Sequence, residues 1–363
     1  KNELKALRTI ENALLQSGVP AYIDNLSIPI LDSASQLMRD NYSEGAGYHG
    51  GRELERLAKF VTSKKLIAKN LSGWRNPIAR KKDMIQTGEK TKKQREKKLP
   101  SEEALTAIAE IFVSNPTNPK DIFTSCTFAM LMCAPSRITE ILELPVDCEV
   151  EEFDSKGKLR YGWRFYAGKG FDGDIKWIPT EMVSIAKEAI KRITQLTEES
   201  RKLARWIETN PDKFHRHDHC PEVGDEQPLT MKEACQALGQ ANNTLKQCRA
   251  SLNNFGLEQK DGSYTLNSLW QYVLSRQPKS FPWVNQERKI KYSNALFCMR
   301  RNLIHLQRGI SPVILWAPTN NVFNSDLSPK KNLKTNVSQS IFDRYGYLAA
   351  DGSRIKVTSH QMR

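Results

Sequence analysis

A strongly basic segment with little hydrophobic periodicity, residues 75–98, most constrains how this 363-residue chain can fold. It separates two stretches whose apolar residues recur at helical spacing, and it therefore predicts a linker or arm between two folded regions. It carries ten basic side chains against three acidic ones and includes the turn-forming pair Thr87-Gly88. A solvated, disordered charge run would have the same composition, so that alternative stays open. The side chains that we expect to contact nucleic-acid phosphates are Arg75, Arg80, Lys81, Lys82, Lys90, Lys92, Lys93, Arg95, Lys97 and Lys98.

The charge of the whole chain points to a polyanionic partner. Its 55 Lys and Arg exceed its 41 Asp and Glu, for a net charge of +14. Such an excess favours double-stranded DNA as the partner, with an affinity that falls as salt rises. The most apolar stretch, residues 123–134, is too short to span a bilayer and suits a buried core helix, so we predict no membrane partner.

The cysteines indicate a reducing compartment. Seven of them are scattered without a pattern, which argues against a disulfide scaffold, and no signal peptide opens the chain. We therefore expect a cytoplasmic, nucleoid-associated protein. Three histidines and a cysteine at His215, His217, His219 and Cys220 are possible zinc ligands. Their alternate spacing and the lack of a Cys-x-x-Cys pair favour a polar loop, so no metal is predicted, although the zinc alternative remains.

Residues 1–74 predict a small helical domain. Apolar residues fall at helical spacing over residues 4–15, and a second helix is expected at residues 33–41. The sequence Gly45-Ala46-Gly47 is expected to break the chain before a third helix at residues 52–62.

Residues 99–210 predict helices around a small antiparallel sheet. Ser101 is a candidate N-cap, followed by helices over 102–113, 122–133 and 137–144. Two β-type runs, 159–167 and 174–178, flank a glycine-rich segment and suggest a hairpin, after which a long helix is expected over about 181–208. The predicted fold class is mainly α with a small antiparallel sheet.

Residues 211–335 are predicted to be a separate, largely helical module. Helices over 229–239 and 243–254, the second with Leu245, Cys248 and Leu252 facing inward, fit a helix–turn–helix, although an ordinary helical hairpin fits equally. A further amphipathic helix is expected at 285–308, and turns at 311–335. A helix is expected again over residues 336–347.

Three clusters carry candidate chemistry. In the first, Ser136 is a candidate cap and Arg137 opens a helix, where a cation is poorly placed against the dipole; this suggests an anion ligand oriented by Glu140, or else a plain ion pair. In the second, Lys169 lies between two glycines at the predicted hairpin tip, where a solvated lysine is the alternative. In the third, His360 and Arg363 share a helix face, a weak signal alone.

In this order, the three clusters resemble the tyrosine recombinase, or phage integrase, family. Ala134, Arg137, Glu140 and Leu144 match its first arginine box, and Lys169 before Ile178-Pro179 matches its hairpin lysine. Its second box is matched by Thr358, His360 and Arg363. The resemblance covers about residues 1–200 and 340–363, and implies a core-binding-like helical domain followed by a catalytic domain. The long segment 211–335 is not explained by the family pattern.

The resemblance implies a DNA strand transferase that cleaves and rejoins DNA through a 3′-phosphotyrosyl intermediate. In that chemistry Arg137 and Arg363 clamp the phosphate, Lys169 gives a proton to the leaving 5′-oxygen, and His360 assists. No metal or other cofactor is expected, and the active form is a tetramer on DNA. The nucleophilic tyrosine is expected after Arg363, because Tyr345 and Tyr347 precede the second box. The 363 residues are thus expected to be an inactive and monomeric fragment.

A second hypothesis stays open on the same residues. A non-catalytic DNA-binding regulator would use the basic arm and the inserted helix–turn–helix without any strand cleavage. A tyrosine shortly after Arg363 would favour the recombinase, and its absence would favour the regulator.

Overall fold

The protein is mainly helical with small antiparallel sheets, which confirms the predicted fold class. It is represented by a computed structural model in which two compact units, Lys1–Gln94 and Arg95–Arg363, can be distinguished. The structure describes residues 2–80, 89, 96, 99–165, 174–240, 244–257, 264–305, 307–328 and 339–362.

The first unit is built from helices α1 (Asn2–Gln16), α2 (Ile28–Asn41) and α3 (Glu44–Ser63), with a short 3₁₀ turn at Ile23–Asn25. The second helix begins five residues earlier than its apolar spacing predicted. These helices share one hydrophobic core, in which Trp74 is buried. The Trp74 indole donates a hydrogen bond of 2.8 Å to Asp32.

Glycines within α3 allow close packing, and the prediction that Gly45-Ala46-Gly47 would break the chain is wrong. A Cβ built on Gly50 would lie 2.6 Å from the Met38 sulfur, and one on Gly51 would lie 2.1 Å from the Asn76 side-chain oxygen. The absent side chains therefore let α2 and the segment around Asn76 approach the backbone of α3. The packing contact outweighs the low helix propensity of glycine.

The second unit begins with helices α4 (Glu102–Val113), α5 (Pro119–Cys133) and α6 (Ile138–Leu142). The α4 prediction is confirmed to the residue, because the Ser101 side chain caps the helix as expected. After the sheet, a 3₁₀ turn at Thr180–Met182 leads into the long helix α7 (Val183–Thr209).

The small sheet has the order β1 (Glu149–Phe153), β2 (Leu159–Phe165) and β3 (Asp174–Trp177), with both pairs antiparallel. Strand β1 was not predicted, since its charged residues lack the apolar alternation typical of a half-buried strand. Residues 166–173, which hold the predicted hairpin tip, lie outside the described residues.

The module predicted over 211–335 contains a second hydrophobic cluster around Trp270. Its helices are α8 (Met231–Ala237), α9 (Leu245–Asn254) and α10 (Leu266–Ser275). Cys248 and Leu252 face inward as predicted, but Leu245 does not, because it is 68% exposed at the first position of α9.

The helix predicted over residues 285–308 is absent from the described part of that range. Its place is taken by β4 (Trp283–Asn285), β5 (Ile290–Lys291) and β6 (Met299–Arg300), and β6 pairs with β7 (Leu315–Trp316). Lys289 and Asn302 have left-handed backbones, which a continuous α-helix does not contain. Residues 295–299 are buried in succession, so their apolar character reflects burial on all sides and not one helical face.

The chain then returns to the first core of this unit through α11 (Asn320–Leu327) and α12 (Ile341–Arg344). Helix α11 lies where turns were expected, and α12 is shorter than the helix predicted over 336–347. Between these helices and α5, Arg344 forms ion pairs with Asp121 and Asp326. Lys120 also pairs with Asp326, with 2.8 Å between nitrogen and oxygen. This buried charge network was not predicted from the sequence.

Candidate functional site

Arg137 stands directly before α6 and is held by Glu140. Its backbone N–H donates to one carboxylate oxygen over 3.0 Å, and its guanidinium donates to the other over 2.8 Å. The Arg137 side chain is 39% exposed and that of Glu140 is 12% exposed. The predicted orientation of Arg137 by Glu140 is therefore present, and part of the guanidinium remains open to solvent for an anion.

Ser136 does not cap α6 as the sequence suggested. Its buried hydroxyl donates to the carbonyl oxygen of Ala134 over 2.7 Å, and Arg137 occupies the N-cap position. This hydrogen bond between Ser136 and Ala134 stabilises the turn before α6.

Lys176 on β3 reaches this turn from the sheet, and sequence reasoning missed it. Its ammonium donates to the Ser136 hydroxyl over 2.7 Å and to the Pro135 carbonyl over 3.2 Å. It also lies 3.7 Å from the Glu140 carboxylate and 4.6 Å from the centre of the Phe165 ring. The signal in the sequence was its place two residues before Ile178-Pro179, but the contact depends on strand register, which pairs Lys176 with Trp163.

The electrostatics of this cluster keep Glu140 ionised. Burial alone would raise the pKa of the carboxyl group. The hydrogen bonds from Arg137, together with the charges of Lys176 and Arg137, outweigh that effect and hold the pKa of Glu140 below its ordinary value. A permanently charged Glu140 keeps the guanidinium in one orientation at neutral pH.

His360 lies in a turn, exposed, on a segment that is anchored on both sides. The Ser359 N–H donates to the Asn324 side-chain oxygen over 2.8 Å, and the Thr358 N–H donates to Gln361 over 2.8 Å. Met362 is 5% exposed. The prediction that His360 and Arg363 share a helix face is not met in the described residues, because residues 359–362 form turns.

One hydrophobic core supports both segments. Ile138 and Leu142 of α6 belong to the same buried cluster as Val357 and Met362. The elements that carry Arg137 and His360 thus pack on the same hydrophobic core. No hydrogen bond or ion pair joins Arg137 to His360 among the described residues.

Several predicted site residues fall outside the described residues. Lys169 and Arg363 are among them, and most of the basic arm is as well. Arg75 and Arg80 are described and exposed, and the Arg75 guanidinium donates to the Ser72 carbonyl over 2.8 Å. The arm positions that lie outside are Lys81, Lys82, Lys90, Lys92, Lys93, Arg95, Lys97 and Lys98.

The two tyrosines before the second box are engaged with carboxylates. The Tyr347 hydroxyl donates to Glu110 over 2.6 Å, and this hydrogen bond raises the pKa of Tyr347. Burial and the nearby Asp121 raise the pKa of Tyr345. Both hydroxyls are thus held in hydrogen bonds to carboxylates.

The histidine-rich loop makes structural contacts. The His215 ring lies 5.6 Å from the Trp206 ring, and His217 bonds the Ala237 carbonyl over 3.0 Å. Burial, together with neighbouring positive charge that includes Arg300, lowers the pKa of both imidazoles. In the part of the chain that the structure describes, no group of three His, Cys, Asp or Glu side chains is arranged to hold a metal ion. Nor does any helix of the described residues have the length and apolar character to cross a membrane.

Comparison with known proteins gives little beyond this geometry. No protein-family model matches the chain, and no curated protein matches it. Among solved structures, it is similar to the XerH site-specific recombinase bound to its difH substrate in a pre-cleavage complex, with a TM-score of 0.32 and 12% identity. The match covers 73% of this chain and 64% of the recombinase chain. A TM-score this low does not establish a shared fold, so any functional assignment rests on the residues themselves.

Proposed function

We propose that this chain belongs to a site-specific DNA recombinase of the tyrosine recombinase type. Residues 99–210 and 336–363 would form its catalytic region, residues 1–74 a core-binding-like DNA-binding domain, and residues 75–98 the linker. The observation that carries the proposal is the half-open guanidinium of Arg137, which is fixed by Glu140 on the same core that supports the His360 segment.

The chemistry follows from charge. A phosphodiester under attack gathers negative charge on its non-bridging oxygens, and a guanidinium fork binds such oxygens while staying charged at any relevant pH. Arg137 would supply one fork, and Arg363 the other. Lys169 would protonate the leaving 5′-oxygen and His360 would assist by donating a hydrogen bond or a proton. Lys176 and Glu140 would act as positioning residues, because they hold the turn and the guanidinium.

The nucleophile implied by the resemblance is a tyrosine after Arg363. It would attack the phosphate and leave a 3′-phosphotyrosyl bond, while the 5′-hydroxyl departs with a proton. The bond energy is retained in that intermediate, so the reverse attack by a 5′-hydroxyl rejoins the strand without a cofactor. Strand exchange between two duplexes would require a tetramer on DNA.

A covalent-trapping experiment tests this proposal. Bound sequences are first selected from a random duplex library with the natural full-length polypeptide, and nicked suicide duplexes are then made from them. We expect a protein–DNA adduct that resists denaturant, and its loss in Arg137→Ala with binding retained. Binding without any adduct in the unaltered protein would overturn the proposal.

A second candidate function is a DNA-binding regulator without cleavage activity. The observation that favours it is helix α9, which buries Cys248 and Leu252 and leaves Lys246, Gln247 and Arg249 exposed, as a DNA-reading helix requires. Helix α9 also packs against α8, as in a helix–turn–helix. For such a regulator, Arg249→Ala would weaken the base preference in the duplexes selected from a random library. No covalent adduct would form with any substrate.

A further inference from the structure

A surface cleft in the second unit gathers basic side chains that the mechanism does not use. It lies between the end of α10 and the β6–β7 ribbon and has a volume of about 430 Å³. Its lining includes Arg276, Arg301, His305 and Arg308, and none of the described residues that line it is an aspartate or a glutamate.

The arginines of this cleft have no acidic partner among the residues that the structure describes. No carboxylate oxygen there lies within 4.0 Å of the guanidinium of Arg276, Arg301 or Arg308, and all three residues are exposed. By contrast, Arg216, Arg288 and Arg344 in the same unit all pair with carboxylates. Three guanidinium groups without an acidic partner make this concavity electropositive, so it would attract an anion.

The frame that holds these groups is fixed by local hydrogen bonds. The Arg301 N–H donates to the Ile314 carbonyl over 2.8 Å, and the Arg301 carbonyl accepts from the Ser311 N–H over 2.9 Å. Asn302 has a left-handed backbone, with φ of 69°, and its side-chain amide donates to the Gly309 carbonyl over 3.1 Å. Arg276 is oriented by a hydrogen bond of 2.9 Å to the Tyr272 hydroxyl.

We propose that this cleft binds phosphodiester groups of the DNA backbone. The inference rests on the proposed DNA partner and extends it to the segment 211–335, which the recombinase resemblance leaves unexplained. The exposed guanidinium groups and the open surface suit a polymer that passes across the protein, since a guanidinium fork matches two phosphate oxygens. The contacts would set affinity and carry no base information.

His305 also lines the cleft, and it is mainly neutral at neutral pH because its pKa is lowered. Burial lowers the pKa of His305, and the charges of Arg308 and Lys120 lower it further. A bound phosphate would offset the charges of Arg308 and Lys120 and so raise the pKa of His305 back toward its ordinary value.

A salt titration with matched variants tests the inference. Binding of a fluorescein-labelled duplex of about 30 base pairs to the full chain is followed by anisotropy between 50 and 300 mM salt. The double variant Arg301→Gln/Arg308→Gln removes two charges from the cleft. The control Lys191→Gln/Lys202→Gln removes two charges from the exposed face of α7, where each lysine lies beside a glutamate. Thermal unfolding of both variants checks that they fold.

We expect the cleft variant to bind at least about fivefold more weakly at 100 mM salt, with a salt slope smaller by about 2. The control should stay within about twofold of the unaltered chain. Arg301→Lys/Arg308→Lys keeps both charges but not the fork, so it should restore the salt slope and only part of the affinity. Equal affinity of the cleft variant and the control would overturn the inference while leaving the proposed function intact. A loss of inorganic phosphate binding with unchanged duplex affinity would also overturn it, since the cleft would then take a small phosphorylated molecule. No duplex binding by the unaltered chain would overturn both proposals.

Discussion

Lys176 donates a hydrogen bond of 2.7 Å to the hydroxyl of Ser136, and so fastens strand β3 to the turn that presents Arg137. The same ammonium lies 3.7 Å from Glu140, the residue that orients the Arg137 guanidinium. One side chain thus ties the sheet, the turn and the candidate phosphate ligand together.

Replacing Lys176 by Met is expected to loosen the turn without abolishing folding. The Ser136 hydroxyl and the Glu140 carboxylate each lose a charged partner, and the free energy of unfolding should fall by about 1 kcal/mol, discounted because the side chain is partly exposed. Urea unfolding measures the change. Lys191→Met is the control, since that lysine lies on an exposed face, 3.9 Å from Glu188. An equal effect of the two changes would contradict the role given to Lys176.

A second measurement distinguishes a positioning role of Lys176 in catalysis from a purely structural role in folding. The trapping rate of a suicide duplex should fall by about 10-fold in Lys176→Met, with duplex affinity within about threefold, because misplaced groups reduce rate more than binding. Lys176→Arg should recover part of that rate. A parallel fall in affinity and rate would indicate that Lys176 contacts DNA directly.

Arg137 is expected to be more sensitive than any other described residue of the site. Arg137→Ala should reduce adduct formation by at least about 100-fold, since one charge-directed donor is typically worth a few kcal/mol in the transition state. Arg137→Lys should recover little, because an ammonium cannot form the two-pronged contact. Single-turnover trapping at saturating protein measures both. A rate for Arg137→Lys equal to that of the unaltered protein would contradict the clamp.

The structural predictions that held were those that depend on interactions between residues close together in the sequence. Helix α4 was predicted to the residue because its cap, its acidic first turn and its apolar spacing all lie within the segment 101–113. The helix predicted over 285–308 was wrong because the buried run 295–299 is surrounded by other elements, which periodicity does not reveal. Lys176 was missed because its partner lies 40 residues away and is reached only through strand register.

The buried ion network around Arg344 is a further example of long-range order. Arg344 bonds Asp326 over 2.7 Å and 2.9 Å, and the Thr124 hydroxyl bonds the same carboxylate over 2.6 Å. Arg344→Met would leave Asp326 buried with Lys120 as its remaining charged partner. The free energy of unfolding should fall by about 3–5 kcal/mol. Chemical denaturation measures it, and a loss below about 1 kcal/mol would show that the network is not needed for stability.

Acid should weaken the protein through Asp326. Burial would raise the pKa of Asp326, but Arg344 and Lys120 hold it below its ordinary value of 3.8. A lowered folded-state pKa contributes stability that is complete above the unfolded value and is lost as pH falls through the folded value. The gap in unfolding free energy between the unaltered chain and Asp326→Asn should therefore be constant above about pH 5 and narrow below about pH 4. A gap that does not change with pH would contradict this assignment.

Alanine substitutions at two glycines of α3 are expected to change the free energy of unfolding in opposite directions. Gly45→Ala has nothing within 4 Å of the new Cβ and lies in the helix, so it should stabilise the protein by up to about 1 kcal/mol through helix propensity. Gly51→Ala gains the same propensity, but its Cβ would meet the Asn76 side-chain oxygen at 2.1 Å. It must displace an amide that donates to the Tyr48 carbonyl over 3.2 Å, so the net effect should be a destabilisation of about 1–3 kcal/mol. Thermal unfolding shows whether each variant is more or less stable than the unaltered protein. Stabilisation by both substitutions would show that the close approach of Asn76 to α3 is not required.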